Sequence, residues 1–147
     1  MEIEWLILAD AAQVVGNKLY VMGGGWDVLN VNAGFPADQR CAVAISVKVP
    51  WAETNQRHQF ELEITDDDGK NTLAKMNGQI EVGRPPGIRP GQDQRIQLAA
   101  DMFLRFASPG QQVIIARLDG QENRRVTFNV VGNILPPAKG PKPPGMA

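Results

Sequence analysis

The sequence is poor in the residues that site chemistry most often needs. It contains one histidine, His58, and one cysteine, Cys41. A lone cysteine excludes an intramolecular disulfide and any metal site built on two cysteines of one chain. The single histidine leaves one side chain whose unperturbed pKa lies near neutrality. An excess of one charge is missing too: 15 basic and 16 acidic residues give a formal charge of −1, without the basic surplus that phosphate neutralisation requires. Nucleic acid is therefore not an expected partner. No apolar run approaches the length of about 20 residues that crosses a bilayer as a helix, so no membrane partner is expected. The opening stretch Met1-Glu2-Ile3-Glu4 is made acidic by its two glutamates where a secretory leader is positive, and the apolar run over residues 5–9 is short for one. The expected location is cytoplasmic.

What remains is an ordinary globular composition, 43% apolar and 21% charged over 147 residues, which fits one domain with one core. The dominant hydrophobic period is two, the mark of half-buried strands. Over residues 40–49, Cys41, Val43, Ile45, Val47 and Val49 fall on one face, and Arg40, Ala42, Ala44, Ser46 and Lys48 fall on the other. Phe60, Leu62 and Ile64 alternate with Gln59, Glu61 and Glu63 before the turn Asp66-Asp67-Asp68-Gly69, which predicts a hairpin into residues 72–82. Residues 94–106 alternate again, and residues 113–118 turn at Asp119-Gly120 into residues 125–131. Near the start, residues 3–10 and 18–22 flank Gly16-Asn17, and residues 26–31 continue the meander. No segment holds a 3.6-residue period; the nearest, residues 9–15, spans about two helical turns.

These patterns predict an all-β, antiparallel two-sheet β-sandwich, Ig-like or jelly-roll-like, with eight or nine strands, because each strand has one apolar face that must meet another. The domain is expected over residues 1–132. From residue 133 the composition shifts to Pro136, Pro137, Pro141, Pro143 and Pro144 with Gly and Lys, which predicts a disordered Pro/Gly-rich tail over residues 133–147.

The polar stretch Trp51-Ala-Glu-Thr-Asn-Gln-Arg-His is the first candidate site. Trp51, Glu53, Asn55, Arg57 and His58 converge there, together with Arg84 from the stiff loop Gly83-Arg84-Pro85-Pro86-Gly87. A carboxylate-oriented His58 is the minimal requirement for a general base, and the competing role is a strand-end histidine bonded to a loop carbonyl. Trp26 and Asp27, which follow Gly23-Gly24-Gly25, form a candidate interaction point, because exposed tryptophan anchors partners; core packing is the alternative. The glycine run itself predicts a bulge, a positive φ or the close passage of another backbone. Asp66, Asp67 and Asp68 offer oxygen ligands but no second acidic cluster to reach the six to eight that calcium takes, so they are read as a turn. Cys41 occupies a core position. No catalytic residue, metal or cofactor is assigned.

The stretches Leu8-Ala9-Asp10, Gly16-Asn17-Lys18-Leu19-Tyr20-Val21-Met22-Gly23-Gly24-Gly25-Trp26-Asp27, Val49-Pro50-Trp51 with Glu53-Thr54-Asn55 and Arg57-His58, and Val82-Gly83-Arg84-Pro85-Pro86-Gly87 resemble an uncharacterised family of small bacterial proteins, a domain of unknown function. The resemblance spans residues 2–131 and implies no activity.

Three functions compete. The leading expectation is a non-enzymatic protein-binding or self-assembling module, a homo-oligomer or the partner of another protein. The alternatives are a small-ligand binder with its polar site at one end of the sandwich, and an enzyme using Glu53 and His58. Self-assembly is suggested by weakly charged strands. Residues 18–22 carry one charge and residues 112–116 none, and the outer face of residues 40–49 shows Ala42 and Ala44 where an exposed sheet prefers charge. Such a face needs cover, from a second copy or from the chain itself, with the loop over residues 83–91 as the nearest source.

Overall fold

The computed structural model describes residues 1–132, which form nine strands and one 3-10 turn. The strands are β1 (Glu2–Val15), β2 (Lys18–Gly24), β3 (Val28–Val31), β4 (Ala37–Val49), β5 (Arg57–Asp66), β6 (Thr72–Glu81), β7 (Gln94–Phe106), β8 (Gly110–Leu118) and β9 (Gln121–Gly132); the turn is Trp51–Glu53. The expected tail, residues 133–147, lies outside the described residues.

Four strands form a sheet in the order β2-β1-β4-β7, and five form a second in the order β3-β9-β8-β5-β6. The larger sheet curls into a half-barrel. All-β architecture in two sheets therefore matches the alternation, and the strand pairs are antiparallel except one: β3 runs parallel to β9, with Leu29 opposite Val130. The run expected to continue the first meander leaves it and joins the other sheet. Residues 9–15, the nearest to a helical pattern, belong to β1.

Two hairpins end in two-residue turns in which both central residues have positive φ, Gly16 (56°) with Asn17 (60°) and Asp119 (51°) with Gly120 (79°). This is the geometry whose twist matches the flanking strands, and it favours Asn, Asp and Gly. One hydrophobic core draws on both sheets: Leu6 and Leu8 of β1 and Val43, Ile45 and Val47 of β4 join Leu62, Ile64, Ile114 and Phe128 of the curled sheet. Cys41 is fully buried with them; loss of hydration, with the Asp101 charge adding to it, pushes its thiol up to about 11, away from the thiolate that reactive cysteines need.

The opposite face of β4 is covered as well. β1 pairs with β4 only as far as Ala9 opposite Ala42; beyond it, β1 pairs with β2 alone. The break is local. Gly23 sits at a φ of 60° against Asp10, where a Cβ would collide with the carboxylate, and Gly25 donates its N–H to the Leu8 carbonyl at 2.7 Å. The positive φ and the close passage expected of the glycine run are both present, while the β1–β2 register continues without a bulge. The far part of the β1–β2 hairpin then turns across the outer face: Ala12, Leu19 and Val21 pack with Ala9, Ala42, Ala44 and Ala99 in a second apolar cluster beside Trp5 and Ile7. Val14 and Asn17 reach Gln94–Gln97 of β7, with which they line one depression. Ala42 and Ala44 are 0% exposed. The cover they need comes from this hairpin and not from the 83–91 loop; small side chains are required there because another strand pair lies on top.

The strand over residues 112–116, expected at an edge, is interior, since β8 lies between β5 and β9. β2 is an edge, as expected, and the other edges are β7, β3 and β6.

Candidate functional site

Alternation along β5 sends His58 inward and Arg57 outward. Arg57 accordingly stands exposed and pairs with Glu81 across the strand at 3.6 Å, outside the cluster predicted around it. His58 is 6% exposed. Its Nδ1 lies 2.8 Å from Asp119 Oδ2, and its Nε2 lies 2.8 Å from the Glu53 backbone carbonyl oxygen. Carboxylate and carbonyl oxygens only accept, so both bonds form at once only when both ring nitrogens carry protons. The Asp119 hydrogen bond first, and the Glu53 carbonyl second, raise the His58 pKa above its ordinary value. The same hydrogen bond, together with the Gln59 N–H at 2.9 Å, lowers that of Asp119.

Glu53 thus contributes its backbone, while its carboxylate is turned to the α-amino group of Met1. The expected Glu53–His58 couple is not a dyad of side chains. The carboxylate that meets the histidine belongs to Asp119, a residue the sequence marks only as half of an Asp-Gly turn. Because both ring nitrogens are engaged, neither is left to take a proton from a substrate.

The rest of the predicted cluster is brought together, but into a knot of mutual contacts. The Arg84 guanidinium lies 3.7 Å over the Trp51 ring, its Nε donates to Thr54 Oγ1 at 2.7 Å, and its Nη2 donates to the Trp51 carbonyl at 2.9 Å. Thr54, 3% exposed, donates its hydroxyl to that same carbonyl at 2.6 Å. Asn55 adopts a φ of 58° and donates its N–H to the Val82 carbonyl at 2.7 Å, so its role is the left-handed bend that its side-chain type tolerates. These contacts staple the 3-10 turn after β4 to the loop after β6. Removing the guanidinium in Arg84→Ala is expected to lower stability by about 1 kcal/mol, the sum of a modest cation–π contact and net hydrogen bonds partly replaced by water. Thermal melting should show a drop of a few degrees; an unchanged midpoint would make the stack incidental.

Trp26 is half-buried and packs edge-on against Phe128, ring centres 6.1 Å apart, on the rim of the core. Core packing, the alternative to an interaction anchor, is where its ring is found, and its Nε1 finds no hydrogen-bond partner among the described residues. Asp27 is exposed and uses its backbone carbonyl to accept from Asn129 at 2.8 Å, fixing β3 beside β9. In the acidic turn, Asp66 bonds the Asn71 side chain at 2.8 Å, and this contact lowers its pKa.

The fold is all-β in two sheets, and the polar side chains of this corner bond chiefly to one another and to nearby backbone. The family described as "Family of unknown function (DUF6941)" matches residues 4–131, and the chain belongs to it. No curated protein matches. Among solved structures, the Pseudomonas fluorescens alkylpurine DNA glycosylase AlkC bound to DNA containing an abasic site analog is similar at 12% identity, with a TM-score of 0.42 over 85% of this chain and 30% of that one. The chain spans under a third of that protein, and so slight a likeness carries no argument about fold or function.

Proposed function

We propose that the chain is a non-enzymatic, self-assembling protein-binding module on a sandwich-like pair of sheets. The observation that carries this reading is where its exposed apolar side chains lie. Of the seven large apolar side chains exposed among the described residues, five, Val14, Val15, Tyr20, Met22 and Phe103, belong to the β1–β2 hairpin or to β7, the sheet edge beyond it, while Val28 and Met76 stand apart on the other sheet; Phe103 is 76% exposed. A groove of about 450 Å³ runs between Tyr20 and Met22 on one side and Arg40 and Asp101 on the other. Apolar surface gathered on one side and rimmed by charge is how association sites differ from the scattered apolar residues of a monomer surface. The polar corner at His58, by contrast, has its hydrogen bonds satisfied internally, which speaks against the small-ligand and enzyme readings placed there. Light scattering across concentrations tests the proposal: a stable multiple of the 16.0 kDa chain mass at tens of micromolar is expected, and a strict monomer would sink self-assembly.

A further inference from the structure

We infer that β7 is the edge through which two copies join, by antiparallel pairing about a two-fold axis at Leu98 that makes one continuous sheet of the two four-stranded ones. The inference rests on the self-assembly reading and adds the surface and the register. Of the four edge strands, β3 has four residues, β2 has seven and ends in Gly23 and Gly24, and β6 has ten with Gly78 inside it. β7 has thirteen residues and contains neither glycine nor proline. Among the described residues only its β4 side is hydrogen-bonded to another strand, so its other side presents a row of backbone donors and acceptors, the template that edge pairing uses.

The side chains of β7 match this symmetry. A two-fold at Leu98 places each residue opposite the one equally far on the other side of it. On the outer face Arg95 comes opposite Asp101 of the second copy, and Asp101 opposite its Arg95, giving two ion pairs where any like-charge register would repel. Both side chains are accessible, 61% for Arg95 and 40% for Asp101, and each also pairs within its own copy, Arg95 with Glu4 and Asp101 with Arg40 at 3.5 Å, so the contacts across the seam are shared with these. Gln97 meets Ala99. On the inner face Ile96 meets Ala100 and Leu98 meets Leu98, all of them only half-buried in one copy although they point toward the core. Beside them a small apolar slot opens between Leu98 and Ala100 on one side and Phe60 and Met76 on the other. Phe103 comes diagonal to Arg95 of the second copy, which gives its exposed ring a cationic neighbour. β6 has charges at the same spacing, Lys75 and Glu81, but its midpoint is Gly78, with no side chain to bury.

Two charge variants of the full chain test the register. Asp101→Lys leaves both positions positive and Arg95→Glu leaves both negative, so each should dimerise about 10-fold or more weakly than the parent, two like-charge contacts replacing two attractive ones. Mixed in equal amounts, they should recover the parent's affinity as a heterodimer, since every facing pair is then opposite in sign; this recovery also shows that both variants fold. Sedimentation at several concentrations reads all three samples. A parent that stays monomeric overturns both the edge and the self-assembly reading. An oligomer equally stable in both variants, or one dissociated instead by Lys75→Glu, overturns the β7 edge and leaves self-assembly standing.

Discussion

Replacing Ala42 with glutamate is expected to unfold a large fraction of the protein. The Cβ of Ala42 has no solvent exposure and lies beneath the β1–β2 hairpin in the cluster of Ala9, Ala12 and Ala44. A carboxylate there has two outcomes: it stays unpaired in an apolar layer, or it lifts the hairpin from the sheet and exposes Leu19, Val21 and the alanines. An uncompensated buried charge costs about 3–5 kcal/mol, against a total stability of about 5–15 kcal/mol for a typical domain. Chemical denaturation should show the midpoint fall accordingly. Phe103→Glu, on the same sheet face but exposed, should change stability by less than about 0.5 kcal/mol. The contrast separates the covered part of this face from its open part, and an Ala42→Glu protein as stable as the parent would mean that the hairpin does not rest on the sheet.

Ala42 also marks the limit of what the sequence reveals. Alternation assigned residues 40–49, most of β4, to their faces, with Cys41, Val43, Ile45, Val47 and Val49 inside the main core as observed. Period two tells which side a residue points to and is silent on what lies there. An alanine on the outer face reads equally as a surface awaiting a partner or as one already under another element, and the glycines that allow the hairpin to fold over, Gly23 to Gly25, sit in a different strand. Strand order suffers the same loss. Residues 112–116 carry no charge because β8 is interior, not because an edge was left unprotected, and the parallel seat of β3 beside β9 depends on contacts a hundred residues apart in sequence.

The polar corner was legible by segment and not by pairing. The stretch from Trp51 to His58 and the loop at Arg84 do meet, and alternation alone separates His58 from Arg57. The partner that sets the state of His58 lies 61 residues away, at a turn whose Asp-Gly sequence is fully explained by its backbone conformation. Nothing local distinguishes an aspartate chosen for its φ from one chosen for its carboxylate, and Asp119 serves in both roles.

Changing His58 to alanine should therefore reduce stability in a pH-dependent way. The imidazolium joins the Glu53 turn to the β8–β9 turn, and its loss leaves the Glu53 carbonyl without its donor and Asp119 with only the Gln59 N–H. Loss of such a half-buried, charge-assisted pair of bonds costs about 1–3 kcal/mol. The sign follows from linkage. The folded pKa of His58 is raised above the unfolded value of about 6.5, so its contribution is complete below that value and is lost as pH rises through the folded pKa. The folded pKa of Asp119 is lowered from about 3.9, so its share is present above that value and is lost as pH falls through the folded one. Both shifts describe one contact, and the parent-minus-variant difference should be greatest between about pH 4 and 6.5, shrinking on the alkaline side as one ring nitrogen gives up its proton to face an acceptor without a donor. Urea midpoints of the parent and His58→Ala, taken from pH 4 to 9, measure that difference directly. A difference that grows with pH would mean that the neutral ring is the form that holds the corner, and the two-acceptor geometry would then be the wrong account of it.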